Sequence, residues 1–164
     1  GKRKNVGLLL EAYRKVEQEH SNIELVISGA HPERTQYPEL VEKLGLKNVS
    51  FTGYIPDEEM ADFYRSGHCM VFPSEYEGFG LAPLESMACG TPVLCAKGGA
   101  LMETSGDGAE YFDYDSDDLK TKIIQLYKDA DLQNKLTERG LKQAEKYTWG
   151  RTADDTMKIY RSLV

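Results

Sequence analysis

A chain of 164 residues, 40% of them hydrophobic, fits a single α/β domain with a real core. Its net charge of −7 and pI near 5.0 argue against a nucleic-acid partner, because phosphate backbones need clustered cations and Lys2-Arg3-Lys4 is the only tight basic run. No stretch is long and apolar enough to span a bilayer, and nothing at the start resembles a secretory leader.

In chain order, Val6, Leu9, Leu10, Tyr13 and Val16 recur at helical spacing and predict a first helix. Ile23 to Ile27 reads as a strand ending at Gly29, a short helix covers about 39–44, and a second strand starts at Val49. Pro56 followed by Asp57, Glu58 and Glu59 opens a helix with acids in its first turn, and Met60, Phe63 and Tyr64 mark its inner face. Cys69-Met70-Val71-Phe72 is a buried strand broken at Pro73-Ser74. Leu81, Leu84, Met87 and Ala88 then predict a helix that stops at Gly90. Strands at 92–96 and 109–112 follow. This alternation indicates βαβ units: a doubly wound, Rossmann-like parallel sheet with flanking helices. From Ser116, read as an N-cap, residues 116–164 form a helical tail broken near Ala130-Asp131 and Trp149-Gly150. Leu119, Ile123 and Leu126 pack the first of its helices, and Leu132, Leu136 and Leu141 the next.

Chemistry concentrates in Glu77-Gly78-Phe79-Gly80-Leu81-Ala82-Pro83-Leu84-Glu85, at the carboxyl end of a strand, where open α/β sheets bind ligands. Gly78 and Gly80 carry no Cβ, so the backbone N–H groups of Phe79, Gly80 and Leu81 can approach a bulky anion. Those amides sit at the positive end of a helix dipole, which suits a pyrophosphate. Glu77 and Glu85 would repel phosphate and therefore face other parts of a ligand; carboxylates are good acceptors for sugar hydroxyls. Two glutamates eight apart are common by chance, and it is the surrounding Pro73-Ser74, glycines and Cys89-Gly90-Thr91-Pro92 that give the pair meaning. Ser74 either binds ligand or finishes its strand. Cys69, Cys89 and Cys95 lack C-x-x-C spacing and His20, His31 and His68 have no close ligand partners, so no metal or other cofactor is expected. The cysteines read as small apolar residues of a reduced, cytoplasmic compartment.

Glu77 to Glu85 resembles the E-x7-E element of the family-four (group 1) glycosyltransferases, which have the GT-B fold. The resemblance continues through Lys4-Asn5-Val6 with Leu8 to Tyr13, Leu25 to Gly29, Val49 to Pro56, Met87 to Val93 and Gly98-Gly99, all in order. It implies that Glu77 bonds the donor sugar and Glu85 the ribose. Phe79, Gly80 and Leu81 amides would hold the distal phosphate and sugar, Lys4 the diphosphate, and the backbone at Ile55 the base edge. In the family an arginine several residues before the lysine also faces the diphosphate; here either Lys2 or Arg3 stands in for it, or the chain begins just after it. The first strand, central in the family's sheet, is missing, and so is the N-terminal, acceptor-binding half. Residues 1–164 are thus expected to be a single donor-binding domain. The parent protein would be a retaining, hexosyltransferase-type enzyme, inactive as this fragment, and would meet a membrane only through the missing half. A nucleotide-sugar binding module or subunit without activity of its own is the alternative; a nucleotide-sugar epimerase fits the E-x7-E context less well. The family's final helix crosses to the other half, which would leave Trp149, Met157 and Tyr160 as an orphaned apolar patch; packing on this domain is the other outcome.

Overall fold

The computed structural model describes residues 2–29 and 31–163, with the Lys2 side chain outside the described set. Helices and strands alternate from α1 (Val6–Glu19) through β1 (Leu25–Ser28), α2 (Tyr37–Leu44), β2 (Val49–Gly53), α3 (Asp57–Ser66), β3 (Met70–Phe72), α4 (Leu81–Ala88), β4 (Val93–Ala96) and α5 (Gly99–Ser105) to β5 (Ala109–Phe112). Three helices complete the chain: α6 (Ser116–Lys128), α7 (Ala130–Ala144) and α8 (Trp149–Ser162).

Every strand pairing is parallel, as helical crossovers require. β4 shows why its sequence, Val93-Leu94-Cys95-Ala96, is apolar throughout. All four residues are fully buried, and alternate side chains enter different cores. Leu94 and Ala96 join Leu9, Leu10, Val16, Phe112 and Leu119 beneath α1 and α6, while Val93 and Cys95 join Leu84, Met87 and Ala109 beneath α4. β4 therefore feeds both cores, as β5 does through Ala109 and Phe112.

The expected single sheet is divided. β1 pairs with β2 and β3–β4–β5 form a second sheet, with no ladder between β1 and β3 among the described residues. A cavity of about 910 Å³ lies where they would meet, lined by Leu25, Val26 and Ile27 on one side and Met70, Val71 and Phe72 on the other. Both strands offer it consecutive residues, hence an edge and not a face. The two sheets thus face each other across the cavity with their edges.

Some expectations shift. α5 was not expected: seven residues opening on glycine are too short to display a helical period. The cap of α6 is Asp115, not Ser116, because its carboxylate accepts from the amides of both Asp117 and Asp118. Leu141 is exposed, and α7 instead turns Gly140 and Gln143 inward, since a glycine lets it sit close to Met87. Leu81, expected on the inner face of its helix, is also exposed. Along α8, Trp149 (80% exposed), Met157 and Tyr160 are exposed.

Candidate functional site

The site is built on the loop from Pro73 to Gly80, between the carboxyl end of β3 and the start of α4. Gly80 makes the turn with φ of 98°, and an added Cβ there would lie 2.8 Å from Leu101 Cδ2 and 3.3 Å from Thr104 Oγ1. Both neighbours belong to α5, so the helix missed in the sequence braces the loop. The Thr104 hydroxyl lies 2.8 Å from the Phe79 carbonyl, and the Thr104 carbonyl in turn accepts from buried Gln143 on α7. Gly78 differs: its φ is not positive and nothing lies within 4 Å of where a Cβ would stand.

With the Phe79 carbonyl held inward, no described residue accepts a hydrogen bond from the amides of Phe79, Gly80 or Leu81. Unpaired donors at a helix start carry a partial positive charge. Pro83 in the first turn removes a donor that the helix could not have satisfied.

Lys4 reaches this loop from the other end of the sequence. Asn5, the only non-glycine residue with positive φ among the described residues, turns the chain so that the Lys2–Lys4 turn lies along the loop, where the Glu75 amide donates to the Arg3 carbonyl at 3.0 Å. Lys4 Nζ donates to Glu77 Oε1 at 2.6 Å and stands 5.0 Å from the centre of the Phe72 ring. Burial pushes the Glu77 carboxyl up, but the Lys4 and Ser74 contacts and the charges of Lys4 and Arg3 outweigh it, leaving its pKa below the ordinary value. Arg3 is thus the described residue that adds a second cation here; the Lys2 alternative falls on a side chain outside the described set. Ser74 is buried, and although it lies close enough to help hold Glu77 ionised, its Oγ has no partner at bonding distance among the described residues. It lines the cavity between the sheets, as Lys4 does.

Of the remaining candidates, Glu85 is exposed on the second turn of α4, and its Oε2 accepts from Tyr64 Oη at 3.0 Å. Ile55 is half-buried between β2 and α3, and no hydrogen bond or ring contact joins it to the Lys4–Glu77 pair. Sequence reasoning missed three aromatic supports. Tyr64 carries only the spacing of a core residue. Tyr147 meets the Phe79 ring edge-on at 5.6 Å, and Tyr114 Oη donates to the Glu75 carbonyl at 3.2 Å. The last contact explains Gly98, where a Cβ would fall 2.6 Å from Tyr114 Oη. Nothing local in the sequence announces these long-range contacts. Among the described residues no group of three or more His, Cys, Asp or Glu side chains could hold a metal ion, and no helix is long and apolar enough to cross a membrane.

Comparison with known proteins identifies the family and the fold. Residues 1–143 match the family model "Glycosyl transferases group 1". The chain is 36% identical to O-antigen chain mannosyltransferase B of Escherichia coli, over 98% of this chain and 43% of that protein. The C-terminal domain of a glycosyl transferase group 1 family protein from Francisella tularensis superposes with a TM-score of 0.77 at 28% identity, covering 89% of this chain and 80% of that one. HepE of Anabaena in complex with UDP and glucose superposes with a TM-score of 0.83 at 22% identity, over 100% of this chain and 46% of HepE, a likeness of fold. The chain therefore spans less than half the length of its mannosyltransferase relative, and it belongs to the group 1 glycosyl transferases, with part of their GT-B fold.

Proposed function

We propose that the chain is the C-terminal, donor-binding domain of a retaining glycosyltransferase of hexosyltransferase type, which moves a sugar from a nucleoside diphosphate sugar to an acceptor hydroxyl. The observation that carries this reading is the set of unpaired amides at Phe79, Gly80 and Leu81, flanked by Lys4–Glu77 on one side and Glu85 on the other. A diphosphate needs donors and positive charge, and sugar and ribose hydroxyls need acceptors; the loop offers both in that order.

As the sugar–phosphate bond breaks, charge grows on the leaving diphosphate, and fixed amides and Lys4 stabilise it most at that point. Lys4 would turn from Glu77 toward phosphate, freeing the Glu77 carboxylate to orient the sugar, with Ser74 Oγ at hand for a further hydrogen bond. Much of the acceleration would come from this positioning. Two cations and a helix start offset the diphosphate charge, so the proposal uses no metal. Ile55 would meet the base through its backbone. The acceptor site would lie in an N-terminal half outside this chain; that half would also provide any membrane contact. The free cysteines support a cytoplasmic setting. The C-terminal placement draws support from the Francisella domain, and the sugar-nucleotide donor from the UDP and glucose bound to HepE.

Calorimetric titration with UDP, GDP, ADP and their sugar conjugates tests the reading. Selective binding that Glu85→Ala weakens supports it; a folded chain that binds none of them refutes it. The second reading, a binding module that transfers nothing alone, is favoured by the 43% coverage of the mannosyltransferase relative. Transfer assays with and without the remaining half separate the two.

A further inference from the structure

Glu85 stands on an exposed helix surface, where a glutamate ordinarily samples several rotamers at little cost. Here one rotamer is held. Tyr64, buried on α3, donates its phenol proton to Glu85 Oε2 at 3.0 Å, and Tyr64 is the hydrogen-bond partner that the structure gives this carboxylate. The residue that carries the phenol is itself anchored. Its backbone carbonyl accepts from Thr91 Oγ1 at 2.8 Å, inside the buried corner that follows α4, and the Thr91 amide donates back to Ser86 of α4 at 3.0 Å. α3, α4 and the corner between α4 and β4 are thus tied together at the residue that carries this hydroxyl. Burial, then the neighbouring carboxylate, raises the Tyr64 pKa, so the phenol stays a donor throughout the neutral range.

We propose that Tyr64 is a positioning residue for nucleotide recognition: it fixes the Glu85 carboxylate so that Oε1 and the remaining lone pair of Oε2 meet the two vicinal hydroxyls of a ribose. The inference rests on the donor-site reading above and adds to it a residue that touches no ligand. A cis-diol presents two donors at fixed spacing. A carboxylate accepts both only in one orientation, so the benefit of the Tyr64 bond belongs to ligands that carry both hydroxyls.

The test compares UDP and GDP with their 2′,3′-dideoxy forms by calorimetry, for wild type, Tyr64→Phe and Glu85→Asp, with urea melts alongside. Tyr64→Phe keeps the ring in the core. Glu85→Asp, at an exposed position, keeps the charge but withdraws the carboxylate from the phenol. Both variants are expected to bind the ribose forms about five- to tenfold more weakly, as for loss of one hydrogen bond of ordinary net strength, and the dideoxy forms within about twofold of wild type. A merely structural role for Tyr64 predicts equal weakening of both forms; that result, or a Tyr64→Phe protein that discriminates as wild type does, overturns the proposal. A wild type that binds neither UDP nor GDP overturns the donor-site reading itself, and this inference with it.

Discussion

Gly78 and Gly80 are two residues apart and look equivalent in the sequence, yet the structure assigns them opposite sensitivities. Replacing Gly80 with alanine places a Cβ at φ of 98°, 2.8 Å from Leu101 Cδ2 and 3.3 Å from Thr104 Oγ1. The left-handed backbone costs about 1–2 kcal/mol for a residue with a Cβ. Leu101 is buried at 1% exposure and cannot swing aside, so overpacking adds about 1–3 kcal/mol. The sum, about 2–5 kcal/mol, moves a urea midpoint by about 1–2.5 M when the slope is near 2 kcal/mol per M. Gly78→Ala meets nothing within 4 Å and needs no positive φ, so its stability is expected to change by less than about 0.5 kcal/mol. Under the donor-site proposal its cost is expected in ligand binding, where the methyl group would stand in the path of an anion approaching the amides. Urea melts of both variants against wild type decide the matter. Equal midpoints for Gly80→Ala and wild type would refute the claim that α5 holds the loop by direct contact.

The depressed Glu77 pKa contributes stability that is present above the ordinary carboxylate range and is lost as pH falls through the folded value. Glu77→Gln should therefore flatten the acid limb of the midpoint-against-pH profile, and Lys4→Met should raise the Glu77 titration followed by carboxyl NMR; an unchanged titration would show that Ser74 and Arg3 suffice. The Cys95 thiol is pushed up to about 12 by burial. Its share of stability is present below the unfolded thiol value, about 8.5, and is lost as pH rises above it, so iodoacetamide at mildly alkaline pH should spare Cys95 until the chain unfolds. Mass mapping reads this, and labelling of native protein at the unfolded rate would contradict the burial. Leu94→Ala, in the strand shared by both cores, should cost about 2–5 kcal/mol by chemical denaturation, against under about 0.5 for a solvent-facing change such as Lys142→Ala.

The elements legible in the sequence are those whose period is carried by large apolar side chains. α1 shows itself in Leu9, Leu10, Tyr13 and Val16, all buried, and α6 in Leu119, Ile123 and Leu126. Where packing is achieved by small residues the pattern fails. Gly140 against Met87 reads as a blank, so Leu141 attracts the inward assignment although it faces solvent. The same holds at the site. Glu77, Gly80 and the start of α4 can be placed from one continuous stretch, because the turn and the helix are local. The partners that hold them come from 25 residues ahead of Phe79, at Thr104, and from 21 behind Glu85, at Tyr64, and a contact of that range leaves no periodic mark. Lys4 and Glu77, 73 residues apart, come to one site in the sequence only through the family resemblance, which gives them separate roles and not the bond that joins them.

The divided sheet and the site are not separate features. β1 and β3 each turn an unpaired edge toward the cavity, and the residues that line it run from apolar Leu25 and Val71 to Lys4 and Ser74. Backbone donors and acceptors along such edges need water or another strand, since a buried unpaired amide is costly. At the polar end the same shortage appears as the orphaned Ser74 hydroxyl. An extended segment seated between β1 and β3 would satisfy both edges and bring its own carboxyl end toward Lys4, because every neighbouring strand is parallel. The charge pair that holds Glu77 below the ordinary carboxylate value thus sits at the mouth of the gap. An occupant of the gap would set the dielectric in which Lys4 and Glu77 meet and so, under the donor-site proposal, how firmly the pair would resist an incoming diphosphate.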